Sequence, residues 1–226
     1  MTYDLATMRA LDDLRDWGIA TSALVITRYR EGPVSERVAQ QMERKGIRVY
    51  RHVELPDYPG DVDFVVSEQG YGQNPYIETE APIVVVTGTG PGSGKMSTCL
   101  CQLYHDHARG IASGYAKFET FPIWDLPVEH PVNLAYEAAT ADLGDFVMLD
   151  PFHLEAHGQR AVNYNRDIEN FPILKAILDR IGAGNERALQ YQSPTDMGVN
   201  RASAGIVDDT VVRAAATQEV IRRYFR

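Results

Sequence analysis

The chain has 226 residues, 44% of them hydrophobic and 23% charged, with a formal net charge of −9. This composition excludes a disordered chain, a collagen-like repeat and a coiled-coil rod, and it suffices for one large α/β domain or two small ones. The acidic balance argues against a nucleic acid or an anionic membrane held by bulk electrostatics, though a local loop can still bind a small anion.

Cys99 and Cys101 are too close in sequence to pair readily, so no disulfide scaffold is expected and a reducing cytoplasm suits the chain. The N-terminus lacks a basic segment followed by an apolar run, and no apolar stretch approaches the ~18–20 residues of a membrane span. A cytoplasmic location is the expectation. Of the 22 basic residues only Lys45, Lys95, Lys117 and Lys175 are lysines.

Leu5, Met8, Leu11, Leu14 and Trp17 recur every three residues, which predicts a helix over 4–17 with a broad apolar stripe. Residues 23–27 read as a short buried strand. Gly32-Pro33 breaks it, and Val34, Val38 and Met42 predict a helix stopped by Gly46. Alternation over 47–54 predicts a second strand, so residues 1–60 read as a βαβ unit with a leading helix, and such units build parallel sheets. Prolines and glycines between 56 and 75 mark a boundary or irregular crossover around the apolar piece Val62–Val66. Residues 61–226 are then a second α/β part.

Ile83-Val84-Val85-Val86 reads as a strand covered on both faces. A helix is expected from Lys95 to Ala108, and Phe118–Trp124 is aromatic and extended. Pro131 starts a helix that runs toward Gly144. Phe146–Leu149 reads as a buried strand with Asp150 at its end. An apolar helix spans 171–181, a polar loop spans 190–205, and Asp208/Asp209 open a final helix.

The chemistry lies in Thr87-Gly88-Thr89-Gly90-Pro91-Gly92-Ser93-Gly94-Lys95-Met96-Ser97-Thr98. Alternating glycines let successive N–H groups turn inward around an anion, and a helix N-terminus adds its unpaired N–H groups and dipole. Gly88, Thr89, Gly90, Gly92, Ser93 and Gly94 are the expected phosphate cradle. Lys95 is the expected neutralising and catalytic cation, with Ser97 or Thr98 offering a hydroxyl to Mg²⁺. The loop departs from the standard phosphate-loop pattern at Thr89 and Met96. It resembles separately the loops of nucleoside monophosphate kinases and of dethiobiotin synthetase. Asp150, with Asp63 behind it, is the candidate acid that would complete a Mg²⁺ site with Ser97. A bland glycine turn joining strand to helix is the competing reading.

Other clusters are weaker. Cys99, Cys101, His105 and His107 do not converge on one helix face. Lys117 and Glu119 among aromatic residues fit either a cleft ion pair or an edge strand. His153 and His157 flank Glu155 in an order that disfavours a zinc hydrolase. Thr195, Asp196 and Asn200 in the 190–205 loop, with Lys117 and Glu119, are the candidate substrate contacts.

Five phrases carry a longer resemblance: residues 90–95, 115–124, 130–140, 163–167 and 191–200. Together they are similar to the bacterial family named domain of unknown function eighteen-forty-six. The resemblance brings no reaction or catalytic residue to carry over, and it implies a longer protein, about twice this length, with sequence on both sides.

The expectation is therefore an α/β fold with a mainly parallel sheet, helices on both faces and a Rossmann-like or P-loop-like glycine loop between strand and helix. Function would be binding of ATP or GTP with Mg²⁺, or of another phosphorylated small molecule, in phosphoryl transfer or nucleotide-driven ligation. The alternatives are a non-catalytic module for a phosphorylated metabolite and a segment inactive alone. No nucleic acid or membrane partner is expected, and a homo-oligomer is open.

Overall fold

The computed structural model describes residues 3–90, 92–182 and 190–225. It is mixed α/β and divides into two compact units, the first of residues 1–113 with 180–184 and the second of 114–179 with 185–226. No helix among the described residues is long and apolar enough to cross a membrane.

The first unit begins with α1 (Tyr3–Asp16), β1 (Ala23–Tyr29), α2 (Pro33–Arg44) and β2 (Arg48–Val53). Pro33 sits at the helix start, where its missing N–H costs nothing, and Gly46 follows the helix at φ +79°. β1 and β2 pair in parallel, as a βαβ unit requires. α2 presents Ala39 and Met42 to the core. The short α3 (Val62–Val65) is capped by Asp61, whose carboxylate accepts the Phe64 N–H at 3.0 Å. Val65 and Tyr71 are buried, as are Leu100, Cys101 and Leu103 of α4 (Lys95–Ala108).

Residues 83–86 do not form the expected covered strand. They carry no strand assignment, and Ile83 and Val85 are 81% and 83% exposed. A strand needs a ladder partner as well as a β-branched sequence, and the described residues supply none. Val62–Val65, placed in the sequence only as an apolar piece, is helical because Asp61 caps it.

The second unit holds β3 (Lys117–Glu119), α5 (Pro131–Ala139), β4 (Val147–Leu149), α6 (Pro151–His157), β5 (Val162–Tyr164), all but the last two residues of α7 (Asn165–Ile181), β6 (Gly198–Asn200) and α8 (Asp209–Tyr224). β3 pairs in parallel with β6, while β4 and β5 are antiparallel. The expected extended parallel sheet is thus replaced, among the described residues, by three two-stranded ladders, of which two are parallel.

Buried Asn133 joins α5 to the segment before it. Its Oδ1 accepts the Ile123 N–H at 2.9 Å, and its Nδ2 donates to the carbonyls of Ile123 and Pro127. This satisfies backbone groups that no ladder reaches. His130 caps α5 and meets Asp209 at the start of α8, with Nε2 2.9 Å from Oδ1.

Candidate functional site

The glycine loop leads into α4 of the first unit. Gly94 occupies the left-handed region at φ +85° as the residue before the helix, and no side chain caps the first turn. The first intrahelical bond runs from Thr98 N–H to Gly94 O at 2.9 Å. The N–H groups of the preceding turn are therefore those a helix leaves without internal partners. Gly88 lets Ser93 approach closely: a Cβ there would lie 2.4 Å from Ser93 Oγ and 3.3 Å from Lys95 Cγ, so these side chains would have to shift. Thr89 and Gly90 complete the approach to the turn, and Pro91 lies outside the described residues.

β1 holds this loop through a device the sequence did not announce. The register matches Ile26 with Arg51 and then Tyr29 with Val53, so β1 carries one extra residue. In that bulge Arg28 adopts φ +48°. Thr27 Oγ1 donates to Ser93 O at 3.1 Å, and Arg28 Nη2 donates to Gly92 O at 2.7 Å. A bulge re-aims side chains in this way. Lys95 folds over the same loop, its Nζ 3.0 Å from Gly90 O and 3.3 Å from Ser93 Oγ.

Ser97 stands in the first turn of α4. Burial pushes the Tyr58 phenol up, and the buried Tyr71 hydroxyl has no hydrogen-bond partner among the described residues. Thr98 is buried. Tyr58 also lines an open cavity of about 550 Å³ with Tyr29, Arg30 and Leu55, at the carboxyl ends of β1 and β2. Ligands of α/β proteins bind at this end of parallel strands.

Cys101 and His105 of α4 each meet a backbone carbonyl, Cys101 Sγ lying 3.6 Å from Tyr71 O. Burial lifts the Cys99 thiol to about 11 and Cys101 to about 12, so neither is a ready nucleophile. His105 Nε2 lies 2.7 Å from Asn74 O.

Asp150 and the candidate substrate residues belong to the second unit. Asp150 ends β4 as expected, but it is fully buried and both carboxylate oxygens are engaged. Oδ1 accepts the His153 N–H at 3.0 Å and so caps α6. Oδ2 accepts Thr195 Oγ1–H at 2.6 Å and the Thr195 N–H at 3.3 Å. Its position makes Asp150 a brace between α6 and the 193–196 turn. Asp63, the second choice, lies on α3 of the first unit.

The structure brings Lys117 and Glu119 together. Lys117 Nζ lies 2.6 Å from Glu119 Oε1 and 2.5 Å from the Tyr164 hydroxyl, and it also pairs with Asp167. Burial raises the Glu119 carboxyl despite the adjacent ammonium. The Tyr164 phenol is pushed up by burial and by the Asp167 and Glu119 charges. Neither Tyr164 nor Asp167 was singled out from the sequence. Both stand in residues 163–167, one of the phrases behind the family resemblance.

The remaining candidates point elsewhere. Thr195 is spent on Asp150, and Asn200 Nδ2 donates to Pro122 O at 2.7 Å. Asp196 faces His157, whose Nε2 lies 2.9 Å from Oδ1 and 3.0 Å from Oδ2. Burial would raise the Asp196 carboxyl, but hydrogen bonds from His157 and the Gln192 N–H hold it below its usual range.

The sequence profile of the family described as Domain of unknown function DUF1846, N-terminal, matches residues 1–226. The chain belongs to that family. Similar curated proteins are a UPF0371 protein of Fusobacterium nucleatum, 58% identical, and UPF0371 proteins of Clostridium botulinum (strain Alaska E43) and Clostridium tetani, 57% and 55% identical. Each comparison extends over 226 residues and covers 100% of this chain and 44% of the relative. The chain thus spans less than half the length of these curated relatives.

Proposed function

We propose that residues 88–95 bind the phosphates of a nucleotide, ATP or GTP with Mg²⁺, or of another phosphorylated small molecule. The chain would contribute this site to a nucleotide-dependent transferase or ligase. The supporting observation is the β1 bulge, which sets Thr27 and Arg28 against a loop that Lys95 already covers. Two cations at an uncapped helix start are what an oxyanion needs, even on a chain of net charge −9.

In this reading the N–H groups at the start of α4 receive phosphate oxygens. Lys95 Nζ exchanges Gly90 O and Ser93 Oγ for a phosphate oxygen, and Arg28 supplies a second positive charge. Ser97 offers its hydroxyl to Mg²⁺. Asp150 belongs to the second unit, where its oxygens brace α6 and the 193–196 turn. The cavity lined by Tyr29, Arg30 and Tyr58 is the space for the rest of the ligand.

Thermal melting with ATP·Mg²⁺ or GTP·Mg²⁺ tests the proposal. Ligand at a hundredfold over Kd stabilises the native state by about 2.7 kcal/mol, a rise of roughly 5–10 °C for a chain of this size. Lys95→Ala should abolish the rise and Arg28→Ala should reduce it. No rise in the unaltered protein, or an equal rise in Lys95→Ala, refutes the proposal. Phosphate release under the same conditions separates an enzyme from a module that holds its ligand without turnover.

A further inference from the structure

We propose that His153, His157 and Asp196 form a binding site for a divalent first-row transition-metal ion, Zn²⁺ or its Co²⁺ stand-in, with coordination positions open to solvent. The two histidines stand one turn apart on α6, with ring centroids 4.6 Å apart. Asp196 arrives from the 193–196 turn. One donor atom from each residue falls within 4.8 Å of the other two.

The spacing suits a metal. His157 Nε2 is 2.9 Å from Asp196 Oδ1, and His153 Nδ1 is 3.5 Å from the same oxygen. Bonds of ~2.0–2.2 Å at a tetrahedral ion place neighbouring donors roughly 3.3 Å apart. Small side-chain rotations therefore convert the cluster into a coordination shell. A simple ion pair needs only one imidazole on this carboxylate, whereas here two converge on it. Two imidazoles and a carboxylate match the borderline character of Zn²⁺, Co²⁺ and Fe²⁺ better than that of Mg²⁺ or Ca²⁺.

The surroundings orient the donors. Asp196 Oδ2 accepts the Gln192 N–H at 3.0 Å, and the Asp196 N–H donates to Ser193 Oγ at 3.0 Å. Ser193 Oγ also lies 3.0 Å from His153 Nδ1, the nitrogen nearest Asp196, so that contact is given up when Nδ1 takes the ion. Asp150 braces both elements from beneath, through His153 N–H and Thr195. Outer contacts of this kind fix ligand orientation in metal sites. The three side chains remain 15%, 35% and 22% exposed for His153, His157 and Asp196. Three protein donors with water access is the arrangement of a metal that handles a further ligand, where a purely structural ion has four donors.

Titration with Zn²⁺ followed by calorimetry, and with Co²⁺ followed by visible absorption, tests the site on the chain as it stands. The expected result is stoichiometric binding with d–d bands of nitrogen and oxygen ligation. His157→Ala, at the exposed end of α6, and Asp196→Asn, which keeps the side chain's shape, should each weaken binding by more than the roughly 10–100-fold that an outer partner is worth. Far-UV circular dichroism and metal-free melting verify that each variant folds, and Asp196→Asn serves if His157→Ala does not. Lys95→Ala and Cys99→Ser should bind as the parent does, so this result is independent of the glycine loop. Absence of binding in the parent chain overturns the proposal. So does binding that survives both His157→Ala and Asp196→Asn, because the ion then sits elsewhere.

Discussion

Replacing Asp150 by alanine removes three hydrogen bonds at once and leaves their half-buried donors, on His153 and Thr195, without this acceptor. Loss of the α6 cap costs about 1 kcal/mol. Loss of the two bonds from Thr195, the shorter at 2.6 Å, adds about 2 kcal/mol for a charged acceptor. Asp150 is 0% exposed, so the acceptor is lost from a site that solvent does not reach in the intact protein. The expected destabilisation is about 3–4 kcal/mol, a large share of the ~5–15 kcal/mol that holds a domain together. Urea unfolding read by Trp124 fluorescence in a Trp17→Phe background reports the second unit, since Trp17 is 73% exposed on the first. Thr195→Val in the same background should couple to Asp150→Ala by about 1.5–2 kcal/mol in a double-mutant cycle. A loss below about 1 kcal/mol, or independent effects of the two substitutions, would refute the bracing role.

Three further outcomes are expected. Gly94→Ala should destabilise the first unit by at least about 2 kcal/mol in thermal melting, from its φ of +85° and from a Cβ only 2.7 Å from Thr27 Cγ2. Glu119 keeps its proton in the folded state above its ordinary 4.5. Stability should therefore fall as pH rises from that value toward the folded one, and Glu119→Gln should lack that decline in urea midpoints across about pH 4–7. Val85→Asp should change stability by no more than about 0.5 kcal/mol, because the side chain is 83% exposed; a loss of several kcal/mol would place 83–86 in a covered strand after all.

Local order was legible wherever one segment's own chemistry decides it. Pro33 and Gly46 bracket α2, Gly94 and Lys95 mark the start of α4, and Asp208 caps α8 through the N–H groups of Thr210 and Val211. The parallel pairing of β1 with β2 followed from the short connections around α2. Ile83–Val86 was not legible, because a β-branched run states a preference and only a partner strand fulfils it. The antiparallel β4–β5 pair escaped because residues 162–164 are too short to show a period.

The site divides in the same way. Glycine spacing and one lysine reveal a loop, but the Arg28 contact spans 64 residues and depends on a bulge that leaves no mark in composition. Asp150 reads as a strand-end acid whether it faces solvent or, as here, Thr195. His153 and His157 were visible as a pair on one helix, while the carboxylate they share lies 39 residues beyond His157.

The extra residue in β1 has an evolutionary consequence. Deleting one residue between Ile26 and Tyr29 would restore an uninterrupted ladder with β2 and relieve the positive φ of Arg28. The same deletion would withdraw the hydroxyl and the guanidinium that hold Ser93 and Gly92. Ladder regularity and grip on the glycine loop therefore pull this strand toward different lengths, and a stability screen would favour the shorter one.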